Sequence, residues 1–182
     1  VVLTAARLLL RGWSDDDREP FARMNGDARV MRYFPGVLDR AQSDAMVDRL
    51  QQHEAAHGYT LWVVEVLSSE RGASTFAGFT GLARPTREMP FPHGDPLVEV
   101  GWRLLPEWWG LGIATEAARS SLECGFTEVG LSEIVSFTVP ANQRSRRVME
   151  RLGMSRSAAD DFEHPGIPAG HPLRPHVLYR LD

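Results

Sequence analysis

The sequence predicts an α/β chain built on a mixed sheet. Runs rich in β-branched and aromatic residues follow one another at 59–67, 75–83 and 97–105, helical spacing dominates before them, and strand and helix patterns alternate after them. The 182 residues fit one domain, 1–182, and at 43% apolar and 24% charged they can build a core.

Each element has a local cause. Ala6 to Trp13 (ARLLLRGW) is Leu-rich and closed by Gly12, which reads as a first strand. Ser14 with three Asp behind it is a helix start, since a Ser can accept from the amide three residues on, and the helix should run to about Met24 before Asn25 and Gly26 stop it. Asp27 is expected to cap a short helical piece through Phe34, broken at Pro35-Gly36. Ala41 to His57 has Ala45, Met46, Arg49, Leu50 and His53 at helical spacing and Gly58 as its end. Tyr59 to Leu67 and Thr75 to Ala83 should pair antiparallel across a polar turn at 68–74. Four prolines keep 84–96 out of the sheet; Leu97 to Leu105 then puts Val98, Val100, Trp102 and Leu104 on one face and Glu99, Gly101 and Arg103 on the other. Ala114 to Val129 is the clearest amphipathic helix. Glu133 to Val139 reads as a strand, Asn142 to Leu152 as a basic helix ended by Gly153, and Pro175 to Leu181 as a last strand.

Composition narrows the function. Twenty Lys and Arg against 24 Asp and Glu leave a formal charge of −4, which argues against general affinity for nucleic acid or an anionic membrane. The apolar opening run is interrupted by Arg7 and is too short to span a bilayer. A single cysteine, Cys124, excludes an intrachain disulfide and a thiolate zinc site and suits a reducing cytoplasm. His164, His171 and His176 have no zinc spacing, so no metal is expected.

The most informative segment is Glu107-Trp108-Trp109-Gly110-Leu111-Gly112-Ile113-Ala114-Thr115, between a strand and the strongest helix. A strand that feeds a Gly-containing loop and then a helix N-terminus presents free amides and a positive dipole end to an anion, and a phosphate or pyrophosphate is the natural guest. Neither the P-loop nor the dinucleotide fingerprint fits. The plainer alternative is a tight turn that uses Gly for conformation only.

This loop resembles the Q/R-x-x-G-x-G/A loop of the GNAT N-acetyltransferases, in the E-W/Y-W-G-x-G-x-A-T-E-A form of the branch containing the ribosomal-protein-alanine N-acetyltransferases of Rim type. Further segments match in family order: Ala6 to Arg11, Val30 to Phe34, Phe76 to Leu82, Val98 to Trp102, Asn142 to Ser145 with Glu150 to Met154, and His176 to Leu181. The resemblance implies the GNAT fold, a mixed, mostly antiparallel sheet with splayed fourth and fifth strands flanked by helices, and acetyl-CoA as co-substrate. It implies that the main chain of Leu104 and Leu105 meets the pantetheine arm, that the amides of Trp109, Gly110, Leu111, Gly112, Ile113, Ala114 and Thr115 hold the pyrophosphate, that Asn142 reaches the pantetheine, and that Ser145 touches the thioester sulfur. The plainer alternative for Asn142 is simple N-capping.

The implied reaction is direct attack of a neutral amine on the thioester in a ternary complex, with coenzyme A thiolate leaving. Glu99 is the candidate proton acceptor and Ser145 a substitute acid; the alternative for Glu99 is an exposed or salt-bridged strand residue, with Arg103 as a candidate partner. An α-amine with pKa near 8 costs roughly 1 kcal/mol to deprotonate at pH 7, and a Lys amine near 10.4 about 4 to 5. Relatives offer a Tyr near the fourth helix as acid, and no Tyr lies between Tyr59 and Tyr179. Cys124 reads as a structural thiol, and of Arg144, Arg146, Arg147 and Arg151 some could meet the 3′-phosphate. The loops 84–96 and 162–175 are expected to wall the acceptor site. The acceptor is a protein N-terminus or a small amine, with Asp160, Asp161 and Glu163 hinting at a cationic one; the protein is expected to act as a monomer or homodimer. The non-enzyme alternative is an acyl-CoA-binding sensor.

Overall fold

A computed structural model describes residues 3–67 and 74–182. The strands are β1 (Leu3–Thr4), β2 (Leu8–Arg11), β3 (Leu61–Leu67), β4 (Ser74–Ala83), β5 (Glu99–Leu104), β6 (Ile134–Thr138), β7 (Phe162–Glu163) and β8 (Pro175–Leu181). The helices are α1 (Arg18–Asn25), α2 (Arg40–His57), α3 (Ile113–Thr127) and α4 (Gln143–Arg151), with single 3₁₀ turns at Asp15–Asp17, Pro106–Trp108 and Ala158–Asp160. The sheet runs β1-β2-β3-β4-β5-β6-β8-β7, antiparallel throughout except between β5 and β6. The β3–β4 pair forms as expected; 68–73, most of the turn expected between them, lie outside the described residues.

Two details near the start differ from expectation. Ser14 does stand at the N-cap, in a capping box where Asp17 accepts from the Ser14 amide at 2.8 Å and hydroxyl at 2.9 Å while also holding Arg11, but the turn it opens is 3₁₀ and α1 begins only at Arg18. The 27–34 segment forms successive turns and no helix, because Asp27 accepts from Arg29 two residues on instead of propagating a helix. α2 behaves as its caps dictate: the Asp39 side chain accepts from the Gln42 amide, and Gly58 takes the left-handed φ of 79° at its end.

Alternation divides the core between the two sheet faces. Leu8, Leu10, Trp62, Val64, Val98, Val100, Leu104 and Ile134 pack under α3 together with Ala117, Ala118 and Leu122. Val63, Phe79 and Leu105 face the other way and meet Phe21 and Met24 of α1 and Val47 and Leu50 of α2. On that second face, across β6, a separate cluster joins Met89, Phe91, Val135, Phe162 and Leu178. Between the two second-face clusters the sheet opens. β5 and β6 pair only at Glu99–Val135, with the Val135 amide donating to the Val98 carbonyl at 2.9 Å, and then diverge.

Candidate active site

The opening has a main-chain edge. The Leu105 amide donates to the Ala77 carbonyl at 2.9 Å, so ladder alternation turns the main-chain groups of Trp102 and Leu104 away from β4, toward the gap. The Leu104 carbonyl takes the Trp109 indole N–H at 2.9 Å. At Leu105 the expectation of a pantetheine contact meets an obstacle. Its amide is spent on Ala77 and its carbonyl accepts from the Trp108 amide at 3.0 Å, so Trp102 supplies the open edge in its place.

At the end of β5, Pro106 starts a single 3₁₀ turn, and Gly110 and Gly112 adopt φ of 77° and 80°, left-handed values that favour glycine. The amides of Gly110, Leu111, Gly112, Ile113, Ala114 and Thr115 make no hydrogen bond among the described residues; the first bonded amide of α3 is that of Glu116, to the Gly112 carbonyl at 3.0 Å. Six consecutive unpaired amides at a helix N-terminus can cradle an anion. The Trp109 amide, expected to join them, donates to Pro106 at 3.2 Å instead. The cradle is clamped from β2's side. Arg7 donates through Nη2 to the Leu111 carbonyl at 2.6 Å and through Nε to Glu116 at 2.7 Å, while its amide also reaches Glu116 at 3.2 Å. Sequence reading missed this clamp, because Arg7 and Glu116 are 109 positions apart and neither carries a motif.

Across the gap stands α4. Asn142 caps it, its side-chain oxygen accepting from the Ser145 amide at 3.3 Å, and its Nδ2 donates to Thr138 Oγ1 at 3.0 Å and Ser145 Oγ at 3.1 Å. The two residues are thus brought together at the helix start, beside the end of β6. Arg144 lies over the Trp109 ring at 4.6 Å and so ties α4 to the loop. A tyrosine does come to α4: Tyr179 of β8, whose hydroxyl donates to Glu150 at 3.1 Å and accepts from Arg146 at 3.3 Å. Cys124 is buried in the α3 core, where burial pushes its thiol up.

On the second face, β5 presents Glu99, Gly101 and Arg103. Burial pushes the Glu99 carboxyl up to about 8, and no cation pairs with it among the described residues. The expected alternative partner, Arg103, is instead bonded to Asn25. A Cβ added at Gly101 would meet only Leu61, at 3.8 Å, so there is room for a side-chain carbon on the strand between the two charged residues. Opposite, Phe137 of β6 gathers Phe91, Phe162, His164 and His176 at centroid distances of 5.5 to 6.4 Å. The loops 84–96 and 162–175 therefore converge on the β6 side of the opening. His164 accepts at Nδ1 from the Gly166 amide, His176 places its Nδ1 at the Arg174 carbonyl, and burial lowers both imidazoles. The turn carrying Tyr33 closes the far end, its hydroxyl donating to the Ala141 carbonyl at 3.2 Å. Two recesses, about 530 and 250 Å³, lie elsewhere, around Arg180, Glu133 and Gly94, and neither is lined by Glu99 or the cradle amides.

The chain as a whole is similar to known proteins. Residues 7–155 match the model of the acetyltransferase (GNAT) domain, and the chain belongs to that family of acetyl-CoA-dependent acyltransferases. It is 30% identical to the FsC-acetyl coenzyme A-N(2)-transacetylase of Aspergillus fumigatus, over 92% of this chain and 72% of that protein. Among solved structures it is similar to a GNAT-family acetyltransferase from Bacillus anthracis, at 27% identity and a TM-score of 0.79 over 100% of this chain and 98% of the other. It also shares its fold with the Rim-type enzyme RimL, the ribosomal L7/L12 alpha-N-protein acetyltransferase solved in complex with coenzyme A, at 14% identity and a TM-score of 0.74 over 100% and 97% of the two chains. No helix among the described residues is long and apolar enough to cross a membrane.

Proposed function

We propose that the protein transfers the acetyl group of acetyl-CoA to a primary amine by direct attack in a ternary complex. The observation that carries the donor half is the run of unpaired amides from Gly110 to Thr115, which offers donors to a pyrophosphate. The open main-chain edge at Trp102 and the Leu104 amide suit the pantetheine arm, leading the thioester along the gap toward Gly101. Asn142 and Ser145 stand at the opposite wall, and Ser145 is the hydroxyl nearest in role to a thiolate acid. That such a loop takes coenzyme A is supported by the fold shared with RimL, whose structure holds that ligand.

In the acceptor half, Glu99 receives the ammonium proton. The amine nitrogen then forms a bond to the thioester carbonyl carbon, and as the tetrahedral intermediate collapses the C–S bond breaks and the second proton of that nitrogen passes, through the Ser145 hydroxyl or water, to the leaving coenzyme A thiolate. An unpaired, half-buried carboxyl near pH 8 is matched to an amine of similar pKa, the condition for efficient proton transfer. A strand amide pointing into the gap serves the developing oxyanion.

The test is release of coenzyme A thiol from acetyl-CoA across N-terminal peptides, amino acids, polyamines and aminoglycosides, with Glu99→Gln alongside. Turnover on one class, lowered about 100-fold or more in the variant with acetyl-CoA affinity kept, is the expected result. Silence across the panel with acetyl-CoA bound would shift the reading to a sensor, and loss of binding would remove both.

A further inference from the structure

The charges around the acceptor chamber are unevenly balanced. Each acid that the sequence suggested for greeting a cation is already paired: Asp160 with Arg180 at 3.2 Å, Glu163 with Arg174 at 2.5 Å, and Asp161 with Arg156. Arg103 is the opposite case. It is 9% exposed, on the Glu99 face of β5, its guanidinium 4.2 Å from the Phe34 ring and 5.2 Å from Phe79. Nη1 donates to Asn25 Oδ1 at 2.6 Å, and Asn25 is itself fixed by donating to Ser43 at 2.9 Å. No carboxylate pairs with it among the described residues, and its Nε is buried without a partner. Among the described residues Nη2 has no hydrogen-bond partner either.

This pattern has a chemical complement. A guanidinium takes an oxyanion side-on through Nε–H and Nη2–H, the two donors that Arg103 leaves free. A buried cation lacking a counter-ion is costly unless something supplies the negative charge. Asn25 fixes the far end of the fork, two aromatic rings hold its plane, and the room above Gly101 lies between it and Glu99. Phe34, at 40% exposure, is the ring that covers it from solvent.

We propose that the acceptor is an amine that also carries an oxyanion, a carboxylate or phosphonate, which Arg103 binds side-on while the amine lies toward Glu99. This rests on the acetyl-transfer reading and narrows its acceptor to amino-acid-like compounds, in place of polyamines and aminoglycosides.

The experiment measures kcat/KM by thiol release for α-, β- and ω-amino acids, their carboxamides, and aminoalkylphosphonates, with Arg103→Met and Arg103→Lys beside the unaltered protein. Peptides and polyamines form a control arm, and acetyl-CoA affinity and melting temperature are read for each variant. The expected result is a carboxylate or phosphonate acceptor preferred at least about 10-fold over its neutral partner, with Arg103→Met removing that preference while turnover of the neutral partner and acetyl-CoA affinity hold, and Arg103→Lys falling between. The better of the two oxyanions identifies the source. Equal use of charged and neutral partners, an equal loss on both in Arg103→Met, or silence of the anionic series overturns the proposal; in the last case turnover in the control arm leaves acetyl transfer standing, and silence there removes it as well. Should Arg103→Met fail to fold, the preference in the unaltered protein and its graded loss in Arg103→Lys decide the matter alone.

Discussion

At the scale of single residues, two side chains separate function from stability. Glu99 has a folded-state pKa near 8, above the ordinary carboxyl value, so the native protein keeps a proton that the unfolded chain has lost over the interval between the two. Its contribution to stability is therefore fully present below the ordinary value, falls as pH rises, and is gone above about pH 8. Glu99→Gln should flatten this slope, melting above the unaltered protein at pH 9 by an amount on the order of a few kcal/mol and converging with it near pH 4. The proposed role as base has the opposite sign, since only the ionised carboxyl accepts a proton, so on that proposal kcat/KM should climb through about pH 8. Melting curves and rate profiles over one pH series check both. Arg7 gives the converse case. Its ion pair with Glu116 is half exposed and adds little stability, yet it fixes the Leu111 carbonyl in the anion cradle. Arg7→Ala should leave the melting temperature nearly unchanged and weaken acetyl-CoA binding about tenfold, about 1.4 kcal/mol, in calorimetry, with kcat held.

At the scale of elements, close approach and capping make the predictions. Gly78 of β4 has φ of 139°, and an added Cβ would lie 2.1 Å from the Arg103 carbonyl oxygen, main chain that cannot swing aside. Gly78→Ala should therefore cost about 3 kcal/mol or more and disturb Arg103 and Leu104 together, seen as a melting-point drop with loss of donor binding. Asn142 separates two roles on α4. Asn142→Asp keeps the capping oxygen but loses the Nδ2 donors, so it should retain stability within about 0.5 kcal/mol while lowering acetyl-CoA affinity, whereas Asn142→Ala should also lose about 1 kcal/mol of stability. Urea unfolding and calorimetry distinguish them. Period and punctuation explain which elements were legible. The alternation at 97–105 assigned both faces of β5 correctly, and Gly58 and Pro106 marked true ends. The 27–34 segment misled because an acid followed by a helical pattern reads alike whether its carboxylate caps a helix or turns back on Arg29. β7 is two residues long and forms only because β8 lies beside it, a tertiary cause with no local signature.

At the scale of the whole molecule, the candidate site combines the legible and the illegible. The run of unpaired amides at 110–115 could be read from two glycines before a helix, since it is a local main-chain feature. The Arg7 clamp, the Asn25–Arg103–Phe34 stack and the Phe137–His164–His176 wall join residues distant in sequence, so only the folded sheet discloses them. This division bears on how ligand binding couples to stability. A donor held by the loop before α3, the β5 edge and α4 bridges elements from both sides of the opening, and binding to the native state alone stabilises by mass action. At acetyl-CoA concentrations about 100-fold above Kd the gain is about 2.7 kcal/mol, which for a chain of this size corresponds to roughly 5 to 10 °C in melting temperature. Gly112→Trp provides the control. Gly112 has φ of 80°, and a Cβ there meets only Arg7 Nη2 at 3.4 Å, so the variant should fold with a loss of about 1 to 2 kcal/mol from the left-handed backbone while its indole covers the cradle. The acetyl-CoA-dependent rise should appear in the unaltered protein and vanish in Gly112→Trp; an undiminished rise in the variant would place the phosphate contacts away from residues 110–115.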